Sequence, residues 1–149
     1  MEISFITKKF NDLTIHELYE VLRLRAEVFV VEQDCVYQDV DNKDQKALHV
    51  LGIKNNVIVA YTRIFDINDY FKDYASIGRV VVKSSERKYG YGHILMEESV
   101  KAVRTYFNTI SIKISAQCYL EKFYNSHNFK RVGEEYLEDG IPHIGMITT

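Results

Sequence analysis

Hydrophobic and polar positions change rhythm several times along this chain. Near the start, "EISFITK" alternates, with Ile3, Phe5 and Thr7 on one face, and predicts a short strand. Thr14 and Glu17 then stand three apart, the spacing at which each side chain reaches the other residue's free backbone N–H and caps a helix. The residues that follow put Leu18, Val21, Leu22, Val28 and Phe29 near one helical stripe, with Glu17, Glu20, Arg23 and Glu27 mostly opposite. The pattern predicts a helix ending near Val30 or Val31. Residues 32–46 lose the rhythm and read as loop or short helix.

Period two then returns. "ALHVLGIKN" and "VIVAYTRIF" flank Asn55-Asn56, and Asn tolerates the left-handed backbone of a tight hairpin turn. "SIGRVVV" ends in a continuous apolar run that predicts a strand buried on both faces. From Gly92, the residues Leu95, Met96, Val100, Val103 and Phe107 recur at helical spacing. "TISIKIS" alternates again, and Tyr119, Leu120, Phe123 and Tyr124 predict a short helix. "KRVGEEYL" and "HIGMITT" read as two last strands joined through the turn pair Asp139-Gly140. The order is β-α-β-β-β-α-β-α-β-β. A helix between strand-like segments across 80–116 predicts a parallel crossover, and the short turns elsewhere predict antiparallel pairs. The fold class is therefore α/β (α+β): a mixed, mostly antiparallel sheet of about six to seven strands with helices on both faces.

Composition narrows the setting. At 149 residues, with one Pro and 46% hydrophobic content, the chain is expected to form a single compact domain over residues 1–149. A formal net charge of −2 gives no reason to expect nucleic acid or an anionic membrane as partner. The first residues, "MEISFITKKF", lack a signal peptide's pattern, and no apolar run reaches the ~20 residues of a membrane span. Cys35 and Cys118 form no CxxC pair, so a reduced, cytoplasmic setting is expected, with both as small core residues.

Candidate chemistry concentrates between the fourth strand and the second long helix. A strand that enters a helix through a glycine-containing turn suits an anion, because the first helical N–H groups lack partners and carry the positive end of the helix dipole. Gly90 and Gly92 would let a ligand approach the backbone, and Arg87 adds a forked, delocalised charge. The segment therefore reads as a diphosphate cradle. It is not a P-loop, because no Gly-Lys-Ser/Thr occurs, and "GYGHIL" places Leu95 where a dinucleotide fingerprint needs its third glycine. The plain alternative is a tight turn carrying a surface arginine.

Context favours the cradle. Arg87-x-x-Gly90-x-Gly92, preceded by "GRVVV" and followed by "HILMEESV", resembles the coenzyme A signature of the GNAT family of N-acetyltransferases. "LRAEVFVVEQDCVYQDVDNKD", "GRVVV", "SAQCYLEKFYNSHNF" and "LEDGIPHIGM" together resemble the ElaA-like branch of that family over nearly the whole chain. The resemblance implies an acetyl-CoA-dependent N-acetyltransferase acting on a primary amine of a small molecule or peptide, as monomer or homodimer, with no metal. It implies that the backbone of Val80, Val81 and Val82 holds the pantetheine arm. Arg87, Lys88, Tyr89, Gly90, Tyr91 and Gly92 would surround the pyrophosphate, and Tyr124 would be the acid that protonates the departing thiolate. Glu32, His143 and His49 remain candidates for the base, beside a water relay. Two rivals share the cradle: a non-catalytic CoA-binding sensor or interaction module, and a nucleotide-binding protein.

The acidic stretch has its own readings. Glu32, Asp34, Asp39, Asp41 and Asp44 stand against Lys43 alone, so the loop is either an acidic rim that attracts a cationic acceptor or a solvated surface. A calcium loop is excluded, because Lys43 falls where an oxygen ligand belongs and Val50 where a Glu is needed.

Overall fold

The computed structural model describes residues 2–148. Its seven strands are β1 (Ser4–Lys9), β2 (Leu48–Lys54), β3 (Val57–Phe65), β4 (Ala75–Val82), β5 (Ile112–Gln117), β6 (Phe129–Glu138) and β7 (Ile141–Thr148). They form one sheet in the order β1-β2-β3-β4-β5-β7-β6, in which β4 and β5 alone run parallel. The parallel crossover, the antiparallel hairpins and the mixed sheet are as the residue pattern predicts. The predicted strand "HIGMITT" begins two residues earlier, at Ile141, and its last residue, Thr149, lies outside the described residues.

Helix α1 (Ile15–Arg25) starts with the expected capping box: Glu17 N–H donates to Thr14 Oγ1, and Glu17 Oε1 accepts from Thr14 N–H. It runs on as a π-helical stretch, Ala26–Glu32, so the helical backbone ends at Glu32, one residue past the expectation. Both hairpin turns rest on left-handed pairs, Asn55 and Asn56 (φ 53° and 62°) and Asp139 and Gly140 (φ 52° and 77°). Helix α2 (Tyr91–Phe107) stops where Asn108 takes a left-handed conformation, and α3 (Glu121–Asn125) is a single short turn.

Two apolar clusters flank the sheet. Val21, Leu24 and Val28 of the first helical segment cover Leu51, Ile58, Tyr61 and Val81 on one face. Met96 and Val103 of α2 and Tyr124 of α3 cover Ile64, Ile77, Ile112, Ile114 and Ile144 on the other. Burial of such side chains, worth about 1.5–3 kcal/mol each, is what fixes the helices on both faces.

One expectation about β4 fails. Its run is not buried throughout: Gly78, Arg79, Val80 and Val82 are half-buried. The register against β3 slips between Tyr61 and Arg63, and Arg79 sits at φ +50°. Two residues of β4 thus oppose one of β3, which is a β-bulge. Before the bulge, β4 pairs with β5 at Ala75–Ile112 and Ser76–Lys113; beyond it, the two strands share no pairing. The apolar run lines an opening between parallel strands instead of a core.

Candidate active site

The opening between β4 and β5 is a cleft of about 620 Å³. Ile77–Val82 form one wall, and Ile114, Ser115 and Gln117 form the other. Lys83 N–H donates to Val59 O at 2.8 Å, so the alternation of an antiparallel ladder points the backbone of Val81 at β3 and that of Val80 and Val82 into the cleft. Val82 O accepts from Arg87 Nε at 3.0 Å instead of from a strand. Val80 and Val82 are therefore placed to meet an extended ligand edge-on, whereas the backbone of Val81 is spent on β3.

At one end the cleft reaches Arg87, Gly90, Gly92 and His93. Gly90 has φ +73°, which an L side chain rarely adopts. Gly92 carries no such constraint: a Cβ there would meet only Phe123 ring carbons at 3.6 Å, an ordinary contact. The fold has room for a side chain at position 92, so its absence leaves open the approach to the N-terminus of α2. Lys88, Tyr89 and Tyr91 do not line the cleft. They form an outer cluster in which Lys54 Nζ stands 4.1 Å from the Tyr89 ring centre and 5.2 Å from that of Tyr91.

Tyr124 lines the cleft from α3 and is 6% exposed. Its ring packs edge-on against Phe123 at 5.1 Å, and its hydroxyl makes no hydrogen bond to another described residue. Burial pushes its phenol well above the ordinary value, with the charge of Tyr119 adding to the shift. The group stays protonated at neutral pH.

The base candidates separate. His143 lines the cleft from β7; its Nδ1 lies 2.7 Å from Ile141 O. A carbonyl only accepts, so Nδ1 carries a proton and Nε2 is left to face Glu138 Oε2 at 3.5 Å. Glu32 also lines the cleft, but both its oxygens are held by Arg87. His49 is 1% exposed and away from the cleft, with one ring nitrogen 2.6 Å from Tyr61 Oη and the other 2.9 Å from Asp44 O.

Glu32 and Asp34 are exposed, but the rest of the acidic stretch is neither a rim nor a solvated loop. Asp39 and Asp44 are buried, and Asp41 is half-buried. Arg25 donates to Asp39 and Asp44 at 2.8 and 2.9 Å, and Arg63 to Asp41 and Asp44 at 2.6 and 2.9 Å. Arg79 donates to Asp39 O at 2.8 Å, and its Nε stands 2.7 Å from Asp39 Oδ1 without the alignment of a hydrogen bond. Three guanidinium groups thus neutralise three carboxylates. Burial alone would raise the carboxyl pKa values, but Arg63 with Arg79 holds Asp41, and Arg25 with Arg63 holds Asp44, below the usual carboxylate range. Local sequence hides this, because the arginines lie 14 to 40 residues from their partners.

Sequence reasoning also missed Ser115, Glu138, Tyr70 and Phe71, all of which line the cleft. A signal for part of this existed: a two-residue turn at Asp139-Gly140 pairs Glu138 with Ile141 and Tyr136 with His143.

A cleft between splayed parallel strands, closed at one end by a glycine turn and a helix N-terminus, is the architecture of an acyl-CoA-using fold. A model of the acetyltransferase (GNAT) domain matches residues 11–149, and the chain belongs to that family. It is 41% identical over 146 residues to a UPF0039 protein of Schizosaccharomyces pombe, covering 97% of this chain and 95% of that one. Protein ElaA of Escherichia coli is 41% identical over 91% of this chain and 90% of its own length, and its crystal structure superposes with a TM-score of 0.91. An acyl-CoA N-acyltransferase structure from Pseudomonas aeruginosa, 40% identical, covers 98% of this chain and 99% of its own, also with a TM-score of 0.91.

Proposed function

We propose that this protein transfers the acetyl group of acetyl-CoA directly to a primary amine. The observation that carries the reading is the Arg79 bulge: it parts β4 from β5 and leads the resulting cleft to the turn holding Arg87, Gly90 and Gly92. The acyl-CoA N-acyltransferase name of the Pseudomonas aeruginosa relative supports it, as does a GNAT acetyltransferase of Elizabethkingia anophelis with acetyl-CoA bound, which is 12% identical and shares the fold.

Acetyl-CoA supplies an already activated thioester, so the chain need not supply a covalent nucleophile. Its own residues have three tasks. The first is to hold the donor: the backbone of Val80 and Val82 would meet the pantetheine arm, and the N-terminus of α2 with Arg87 would meet the pyrophosphate. The second is to receive a proton from the amine. An acceptor arriving as R-NH3+ must lose one proton before its nitrogen can attack and a second as the amide forms. His143 Nε2 is one cleft nitrogen that can accept a proton while the ring is neutral, since Nδ1 is committed to Ile141 O. The third is to give a proton to sulfur as the C–S bond breaks, and the protonated phenol of Tyr124 suits that role. The balance is R-NH3+ and acetyl-CoA to R-NH-acetyl, CoA-SH and one proton.

Titrating the protein with acetyl-CoA by calorimetry, then following CoA release with mixed primary amines, tests the reading. Binding with turnover is expected. Binding without turnover on any amine would instead make the protein a CoA sensor, and no binding at all would overturn the cradle.

A further inference from the structure

The acetyl-transfer reading leaves the acceptor open, and the far end of the cleft narrows it. There β5, β6 and β7 bring Ser115, Glu138 and His143 to one sheet face. Ser115 Oγ lies 3.2 Å from Glu138 Oε1 and also bonds Tyr136 Oη, and the Tyr136 and His143 rings stack at 6.1 Å. Burial raises the Tyr136 pKa, so this hydroxyl is neutral too. Phe65, Tyr70 and Phe71 form the adjoining wall, with ring centres 5.1 and 4.9 Å apart in succession.

Charge matching across the cleft decides what such a recess accepts. Each arginine that lines it is already paired: Arg63 with Asp41 and Asp44, Arg79 with Asp39 and Asp41, and Arg87 with Glu32. Lys43 and Lys113 lie over the Tyr70 and Phe71 rings, but neither lines the cleft. Glu138 is different. Its carboxylate is met by a neutral hydroxyl and by an imidazole at 3.5 Å, and it is 45% exposed. Asp139, the next residue, also lines the cleft, and its carboxylate makes no ion pair with another described residue. This end of the cleft therefore carries uncompensated negative charge beside an aromatic wall. It has no spare guanidinium for an anion.

We propose that the recess of Ser115, Glu138 and His143 is the acceptor subsite, and that it takes a primary ammonium on an aromatic or apolar stem with no carboxylate beside the amine. Glu138 receives the ammonium, Tyr70 and Phe71 receive the stem, and His143 Nε2 stands next to the bound nitrogen to accept its proton. An α-amino acid is disfavoured because its carboxylate would enter the same recess as Glu138, where each lining arginine is already paired.

The inference rests on the acetyl-transfer reading, and one experiment keeps the two apart. Acetyl-CoA affinity is measured first, for the parent and Glu138→Gln. Steady-state rates follow with 2-phenylethylamine and with phenylalanine, which differ by the carboxylate. Equal acetyl-CoA affinity in both proteins is expected and also reports that the variant is folded. The parent should acetylate 2-phenylethylamine with kcat/KM at least about 10-fold above phenylalanine, since like charges in one site are penalised. Glu138→Gln should raise the KM for 2-phenylethylamine by about 10- to 100-fold, the range for a lost charge-assisted hydrogen bond. Tyr70→Leu should raise the same KM and leave acetyl-CoA affinity unchanged. Failure to bind acetyl-CoA would remove the functional reading, and this subsite with it. Turnover of other primary amines but not of 2-phenylethylamine, equal use of phenylalanine, or a parental KM in Glu138→Gln would each overturn the subsite alone, whereas acetyl-CoA binding with no turnover of any amine would overturn the acetyl-transfer reading.

Discussion

Arg87 and Glu32, 55 residues apart, face each other across the mouth of the cleft in a forked ion pair, with Nη1 and Nη2 at 2.6 and 3.0 Å from the two carboxylate oxygens. The guanidinium is fixed on a third side by Val82 O. The residue proposed to meet a pyrophosphate is thus already holding an anion supplied by the chain, and a bound diphosphate would compete with Glu32 for it.

That competition predicts the effect of Glu32→Gln. Both partners are substantially exposed, so the pair is screened by solvent and weak. Acetyl-CoA should bind the variant tighter by up to about 5-fold, the size of a surface ion pair. Calorimetry at low and high salt measures it, and the gain should shrink as salt rises. Because both oxygens of Glu32 are occupied, kcat should hold; a hundredfold fall in kcat would instead make Glu32 the base.

Gly92 and Arg87 test the cradle from its two sides. Gly92→Ala should melt close to the parent, since its Cβ meets only the Phe123 ring at ordinary distance. Yet it should weaken acetyl-CoA binding at least about 10-fold if that backbone approach is used. Arg87→Ala should weaken binding by about 1.5–3 kcal/mol, less whatever is regained by freeing Glu32. Unchanged affinity in both variants would return the segment to a plain turn.

Tyr124→Phe removes one oxygen that bonds no other described residue, so the melting temperature should barely move. If the phenol protonates the leaving thiolate, kcat should fall about 10²- to 10⁴-fold with acetyl-CoA affinity retained. Burial lifts this pKa above its ordinary value, so an alkaline limb below about pH 10 in the parent's profile should belong to another group and persist in the variant. A variant that keeps more than a third of kcat, with chemistry rate-limiting, would make Tyr124 a packing residue.

The buried arginine–aspartate cluster sets an acid limit on stability. Asp41 and Asp44 titrate lower in the folded state than their ordinary ~3.9, so their contribution is full above that pH and is lost as pH falls below it. Burial, outweighing the attraction of Asp44, also lowers the pKa of His49, so stability should begin to decline below about pH 6.5 as the unfolded chain takes up that proton first. Denaturant titrations from pH 8 to pH 3 should show a shallow fall and then a steep one. Asp44→Ala takes one of its two carboxylate partners from each of Arg25 and Arg63, both almost fully buried, leaving Arg25 with Asp39 and Arg63 with Asp41, and should cost about 3–5 kcal/mol. In a chain of this size that is a drop of roughly 10 °C in melting temperature. A shift below 2 °C would mean that the cluster is hydrated.

Features set by neighbours in sequence could be read without the structure. Thr14 and Glu17 cap a helix at three-residue spacing, and Asn55-Asn56 and Asp139-Gly140 turn hairpins because these residue types accept positive φ. The alternation of "TISIKIS" and the helical stripe from Leu95 to Phe107 place whole elements, and the spacing of Gly90 and Gly92 marks the turn that enters α2. Each of these signals is carried by residues a few positions apart, where backbone geometry alone fixes what can touch. Tertiary structure decided the rest. An apolar run at 80–82 has one pattern whether it fills a core or lines a cleft, and the bulge at Arg79 chose the cleft. Five acids in a loop look like a charged rim until Arg25, Arg63 and Arg79 arrive from α1, β3 and β4 and neutralise Asp39, Asp41 and Asp44. Glu32 met Arg87, and Glu138 met Ser115 and His143, because sheet order and helix packing bring distant segments together, and charge acts through space without regard to distance along the chain.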